Sequence, residues 1–295
     1  MNERSSHQRA MLAVAVAVVA VSSSAPLIAF AAAPALAIAF WRNALATVAL
    51  TPFAYGSSRS SSRTRLFAVL AGLALAAHFS TWMPSVQLGS VATSAALVAT
   101  QPVWQGVIAA FQGRRPPPAG WIGIGLAVAG AAWATGADVG VSGQAVLADV
   151  LALSGGMFAA VYTALGERAR TEMSTVAYTW ICYGTCAVLL AGVCLLAGLP
   201  LGGYDNRTWL AILALVVGAQ LLGHSMFSYA LHRISATTVS VVALIEVPGA
   251  ALLAWVWLGQ QPRPAALPGV ALLLAGVAVF LLGGRRASRP RDLRA

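Results

Sequence analysis

Four ionisable side chains fall inside long apolar runs of this chain: Arg42, His78, His224 and Glu246. Glu246 stands near the middle of SATTVSVVALIEVPGAALLAWVWLG, the run from Ser235 to Gly259. At 1.5 Å per residue it lies roughly 16 Å along a helix from Ser235, near the midplane of a bilayer core about 30 Å thick. A carboxylate there is expensive. It suits a group that titrates a proton or binds a substrate amine, or else a structural acid that locks its helix. Arg42, about eight residues into its run, is too deep for easy snorkelling. It suits a substrate carboxylate, an ion pair with Glu246, or a fixed part of the architecture. His78 and His224 can shuttle protons near neutral pH, or simply pack with satisfied ring nitrogens. Gln220, His224 and Ser228 recur every four residues, as do His78, Trp82 and their neighbours Thr81 and Ser85, so each set makes one polar stripe. Such stripes fit a cavity wall or hydrogen bonds between helices. Gln101, Trp82, Trp104 and Tyr162 complete the set of candidate solute contacts, and an aromatic lining favours planar or amphipathic solutes.

Positioning these groups is a task for membrane helices. The 295 residues are 59% hydrophobic and 9% charged, with mean hydropathy +0.79. So little charge does not cover the surface of a soluble domain of this length. The net charge of +10 comes entirely from arginine, since lysine is absent. Cys182, Cys186 and Cys194 share one apolar segment, with no His at metal-ligand spacing, so they read as small packing groups and neither a disulfide framework nor a metal site. The N-terminal apolar run continues through Pro26 to about residue 32, long enough to span, and is read as a retained helix.

Apolar segments are predicted near 11–32, 35–54, 66–86, 92–111, 120–137, 145–165, 175–197, 208–231, 236–257 and 265–283. Ten spans with a cytoplasmic N-terminus place Arg4, Arg9, Arg59, Arg63, Arg65, Arg114, Arg115, Arg168, Arg170, Arg233, Arg285, Arg286, Arg289, Arg291 and Arg294 inside, against Arg207 and Arg263 outside. That bias supports both ends being cytoplasmic and residues 285–295 being a basic tail on anionic lipid.

Shifting the chain by 146 superposes it on itself without a gap. His78 falls on His224, Ser94 on Ser240, Pro102 on Pro248, Gly123 on Gly269 and Gly130 on Gly276. The turn after Gly113 falls on the turn after Gly259. Five helices per copy is an odd number, so the second copy (138–284) must enter the membrane from the side opposite the first (1–137). The expectation is an all-α polytopic membrane protein, a 5+5 inverted repeat whose site lies near the midplane between the halves. The repeat axis is expected to hold His78 and His224 at opposite depths. Pro26, Pro102 and Pro248 are expected to bend their helices.

Several stretches resemble the EamA-type branch of the drug/metabolite transporter superfamily: AFWRNALA at 39–46, VATSAALVATQPVWQGVIAAF at 91–111, GIGLAVAGAAWA at 123–134, LSGGMFAAVYTALGERAR at 153–170, and most closely the run at 234–282. The resemblance implies a ten-helix exporter or facilitator of metabolites, amino acids or drugs, working by alternating access. It also implies a cavity lined by helices 1, 3, 4, 6, 8 and 9, with helices 5 and 10 as peripheral packing elements. The acid that usually follows the glycine ending the fourth and ninth helices is replaced here by Arg114 and Gln260.

No HExxH, Walker A or nucleophile-elbow motif is present. The expected partners are therefore a small-molecule solute and the bilayer, with no cofactor, metal or nucleic acid, in a monomer or homodimer of the bacterial inner membrane. An intramembrane enzyme acting on a lipid or lipid-linked substrate, and a non-transporting scaffold, are the competing readings.

Overall fold

A computed structural model describes residues 3–54, 60–89, 91–114, 116–135, 143–259 and 267–287; all regular structure among them is helical. Calls on Arg59, Arg115, Gln260, Arg263 and the tail beyond residue 287 fall outside the described residues. In chain order the helices are α1 (Glu3–Ser22), α2 (Ser24–Phe30), α3 (Ala35–Ala54), α4 (Ser62–Leu88), α5 (Val91–Val98), α6 (Gln101–Phe111) and α7 (Pro118–Thr135). They continue as α8 (Gly143–Ala169), α9 (Thr175–Leu196), α10 (Asn206–Leu215), a π-helical stretch (Val216–His224), α11 (Ser225–Ala230), α12 (Ala236–Ala243), α13 (Glu246–Leu258) and α14 (Leu267–Ala287).

Seven continuous stretches among the described residues are apolar and long enough to cross a membrane, from Gln8–Phe30 to Ala236–Leu258. Their outward faces carry large bare hydrophobics such as Leu12, Val48, Val188, Leu196 and Val256. Water does not tolerate that density of exposed apolar surface, but lipid does.

The helix breaks follow from proline. A proline lacks the N–H that would bond the carbonyl four residues back, and its ring clashes with that carbonyl. Four residues before Pro26, Pro102 and Pro248 lie Ser22, Val98 and Leu244, and there α1 and α5 end and α12 has just ended. At the last two sites the chain tightens into i→i+3 bonds, Thr100 N–H to the Leu97 carbonyl and Val247 N–H to the Leu244 carbonyl, before helix resumes. Helix starts are fixed by side-chain caps: Ser61, Ser174, Asp205 and Ser235 each accept from the backbone N–H three residues on. Gly113 (φ 76°) and Gly259 (φ 69°), superposed by the 146 shift, both end their helices in the left-handed conformation that only glycine adopts freely.

Equivalent helices of the two halves pack antiparallel. In the α7–α14 pair Gly123 meets Gly276 and Phe280, while Gly130 meets Gly269 and Leu273. Between α3 and α9, Trp180 Nε1 donates to Thr51 Oγ1 (3.1 Å), and Gly184 lies against Thr47. The broken helices cross as well, α5 against α13 and α6 against α12. Antiparallel packing of equivalent helices is what a two-fold axis in the membrane plane requires. On one rim, Glu172 accepts from Thr64 Oγ1 (2.5 Å) and Ser61 Oγ (3.0 Å), and Arg114 is forked onto Glu167 (2.9 and 2.8 Å). Arg63 and Arg168 lie over the Phe67 ring on that same rim. At the opposite end, Trp41 donates to the Leu201 carbonyl and meets Trp209 edge-on.

Candidate functional site

Where the two broken helices cross, the structure encloses a cavity of about 80 Å³. Its wall comes from both halves. The first span contributes Val21 and Ser24, α4 contributes His78 and Trp82, and the α5–α6 break contributes Val98, Ala99, Gln101 and Pro102. From the second half come Ala159, Tyr162 and Thr163 of α8, His224, Phe227, Ser228 and Leu231 on the stretch through α11, and Val239, Ser240, Ala243, Leu244 and Glu246 around the α12–α13 break. These are the first, third, fourth, sixth, eighth and ninth apolar segments. Among the described residues α7 and α14 contribute nothing to the wall and instead pack on each other through glycines too close for any Cβ, Gly276 leaving only 2.3 Å to the Ala127 nitrogen.

Glu246 opens the first turn of α13, two residues before Pro248. Its carboxylate has neither an ion partner nor a hydrogen bond among the described residues. The expected alternative pairing with Arg42 is not formed. Arg42 is fully buried and donates from Nε to Gln220 Oε1 (2.7 Å) and from Nη1 to Ser24 Oγ (3.3 Å), with its Cζ 4.4 Å above the Phe79 ring. Gln220 Nε2 in turn donates to Asn43 Oδ1 (3.0 Å), and Asn43 Nδ2 to the Ala39 carbonyl (2.8 Å). An amide carbonyl and a ring face, with no acid, hold this cation.

Gln220 therefore belongs to the Arg42 cluster, while His224 and Ser228 line the cavity. Over Val216–His224 the helix takes the wider π winding, the Ser225 N–H reaching back five residues to the Gln220 carbonyl. The Tyr183 hydroxyl and Ser225 Oγ also lie within 3.3 Å of that carbonyl. Trp104 is 37% exposed on the outer surface.

His78 and His224 come together, with ring centroids 6.5 Å apart. His78 Nδ1 is 2.9 Å from the Gly155 carbonyl; a carbonyl only accepts, so Nδ1 carries the proton and Nε2 is left as an acceptor. Trp82 stacks on that ring (5.6 Å, 9°), and its own indole N–H is buried without a partner. His224 is met edge-on by Tyr162 (5.9 Å), whose hydroxyl lies 3.3 Å from Ser228 Oγ. Gln101 Nε2 joins the halves by donating to Thr163 Oγ1 and Ser240 Oγ, both at 3.0 Å.

Ser24, Thr163, Phe227 and Ser240 line the cavity without having been singled out as contacts. Ser240 had a signal, since the 146 shift pairs it with Ser94; Ser24 was hidden in the Ser22–Ser24 triplet. The site thus gathers one unpaired carboxylate, an unpaired indole donor and two imidazoles in an otherwise satisfied apolar wall. Such an arrangement suits reversible binding of a small polar solute or a proton.

The EamA-like transporter family model matches this chain twice, over residues 8–136 and 146–282. No curated protein matches it. Among solved structures, one crystal structure superposes with a TM-score of 0.75 at 22% identity, over 95% of this chain and 99% of the other, which shows a shared fold. With both halves matched, the chain belongs to the EamA-like transporter family, a multi-pass membrane protein built of two repeats.

Proposed function

We propose that the chain is a secondary transporter of ten spans, a 5+5 inverted repeat with both termini cytoplasmic in the bacterial inner membrane. It exports small organic solutes such as amino acids by rocking of the two halves about the central cavity. The observation that carries this reading is the unpaired Glu246 carboxylate at the crossing of the two broken helices. A cavity-lining acid within an apolar span and without a partner is best satisfied by what passes through, a solute ammonium or a proton. At roughly 10–15 Å³ per water-sized group, the 80 Å³ cavity holds about five to eight such groups. That is the size of a small amino acid, smaller than a drug-sized ligand's usual pocket.

Glu246 then acts as the alternating site. Protonated, it releases the solute; ionised, it binds a cationic group. His78 and Trp82 supply an acceptor and a donor on the facing wall. The test is counterflow of neutral amino acids in proteoliposomes prepared from wild type and Glu246→Gln. Loss of transport, or loss of its pH dependence, supports the reading. Transport by Glu246→Gln with wild-type rate and pH profile sinks it. Reporter fusions at each terminus check the orientation.

A further inference from the structure

Outside the central cavity, the rim where α6, α8 and α11 end and α12 begins encloses a recess of about 410 Å³. Arg114, Arg168, Arg170, Arg233 and His232 line it, opposed by a single acid, Glu167. Arg114 is neutralised by its fork onto Glu167, which leaves three guanidiniums without an acid. Arg170 is 5% exposed and braced by the Ser228 carbonyl (3.0 Å) and the Met173 carbonyl. His232 Nδ1 donates to the Arg170 carbonyl (3.0 Å), which leaves its Nε2 free. Arg233 has no side-chain partner among the described residues, and Arg168 has only the Phe67 ring, 5.7 Å away. Arginines that merely set topology need no pocket and no buried, braced member. A concave surface with surplus positive charge raises the local concentration of anions.

The recess is also placed to feed the cavity. Leu231, 6% exposed, lines both spaces, and Ser228, whose carbonyl braces Arg170, lines the cavity. We propose that the recess is an anion-binding antechamber to the central cavity, receiving solutes that carry a carboxylate or other anionic group, with Leu231 as the wall between the two spaces. The proposal deepens the transporter reading and rests on it. Its test reads thiol labelling and not transport, so either can fail without the other.

A Ser240→Cys chain, whose new thiol sits in the cavity, is reconstituted in phosphatidylcholine vesicles with the recess facing outward. It is labelled with an anionic sulfonate methanethiosulfonate or a cationic trimethylammonium one, each rate divided by that reagent's rate with free cysteine. The protein without Ser240→Cys corrects for the native cysteines. Leu231→Ala is expected to raise labelling at least fivefold, with the anionic reagent favoured about fivefold; Arg168→Gln/Arg233→Gln brings that preference to near one. The milder Leu231→Val serves if Leu231→Ala does not fold, and a rise of the wild-type Tm in sodium acetate over sodium chloride at equal ionic strength supports the site without any substitution. No preference, a preference untouched by the arginine changes, or no gain from opening Leu231 overturns the proposal. So does a preference abolished by adding phosphatidylglycerol to the vesicles, which would make the recess a lipid headgroup site.

Discussion

Arg42 offers the sharpest energetic test of the fold, because removing its partner should cost more than removing the charge itself. The guanidinium is fully buried, has no acid, and depends on Gln220 Oε1 at 2.7 Å, Ser24 Oγ at 3.3 Å and the Phe79 face. Gln220→Leu deletes a hydrogen bond to a charged group, worth about 1.5–3 kcal/mol, and strands Asn43 Oδ1 for about 1 kcal/mol more. The expected loss is about 3 kcal/mol, within the range for breaking a buried charge's pairing. Arg42→Met fills similar space and leaves only neutral groups short of a donor, about 1–2 kcal/mol, offset by no longer desolvating a cation. The double variant should then lose about 1–2 kcal/mol, far less than the sum. Unfolding of each variant by SDS in mixed micelles, followed by tryptophan fluorescence, measures the cycle. If Arg42→Met is as destabilising as Gln220→Leu, or if the two effects add within about 0.5 kcal/mol, the cluster is not the coupled unit described here.

Other outcomes follow from the same geometry. Trp82→Ala should abolish solute-dependent thermal stabilisation, whereas Trp104→Ala, on the outer surface, should leave it unchanged. Gly276→Val drives a side chain into the Ala127 nitrogen, 2.3 Å from an added Cβ, and should lower stability by about 1–3 kcal/mol in the same SDS assay by prising α14 from α7. Ser235→Ala removes the cap accepting from Thr238 N–H and should cost about 1 kcal/mol, with faster amide exchange at the start of α12. Hydrogen bonds from Thr64 and Ser61 hold the Glu172 carboxylate below its ordinary pKa. A depressed folded-state pKa means the tether persists below the normal carboxylate range and is lost only as pH falls through the lowered value. Amide protection at residues 61–65 should drop in that acidic window, and Glu172→Gln should remove the pH response.

Most of the scaffold was legible because its signals are local or periodic. Apolar run lengths located the helices, the three prolines located the breaks, and the 146 shift disclosed a repeat that a two-fold axis then explains. Depth was harder. His78 and His224 were expected at opposite depths, and counting residues from a helix end gave no sign that packing brings the two rings to 6.5 Å of one another. Spacing along one helix did not disclose its neighbours. A four-residue stripe says which side chains share a face and nothing of what each one meets, and Gln220 is taken by Arg42 and Asn43. Ser24 shows a third limit, since its value lies in touching both the Arg42 cluster and the cavity, a juxtaposition of first and second spans that one-dimensional spacing does not carry.

The departures from symmetry are where function belongs. The repeat gives both halves a proline break, a glycine-capped turn and a central histidine, so none of these distinguishes one half from the other. At the break itself Thr100 stands where the second half has Glu246; the threonine hydroxyl satisfies itself on the Leu97 carbonyl at 2.8 Å, while the carboxylate is left unbonded in the cavity. The π winding likewise lies in the second half only, and among the described residues α4 runs as uninterrupted α-helix through the equivalent position. One copy supplies a satisfied threonine at its break and the other an unbonded carboxyl beside a locally widened helix. The rocking mechanism proposed above would use both: like breaks in the two halves to bend together, and one site whose binding changes as they do.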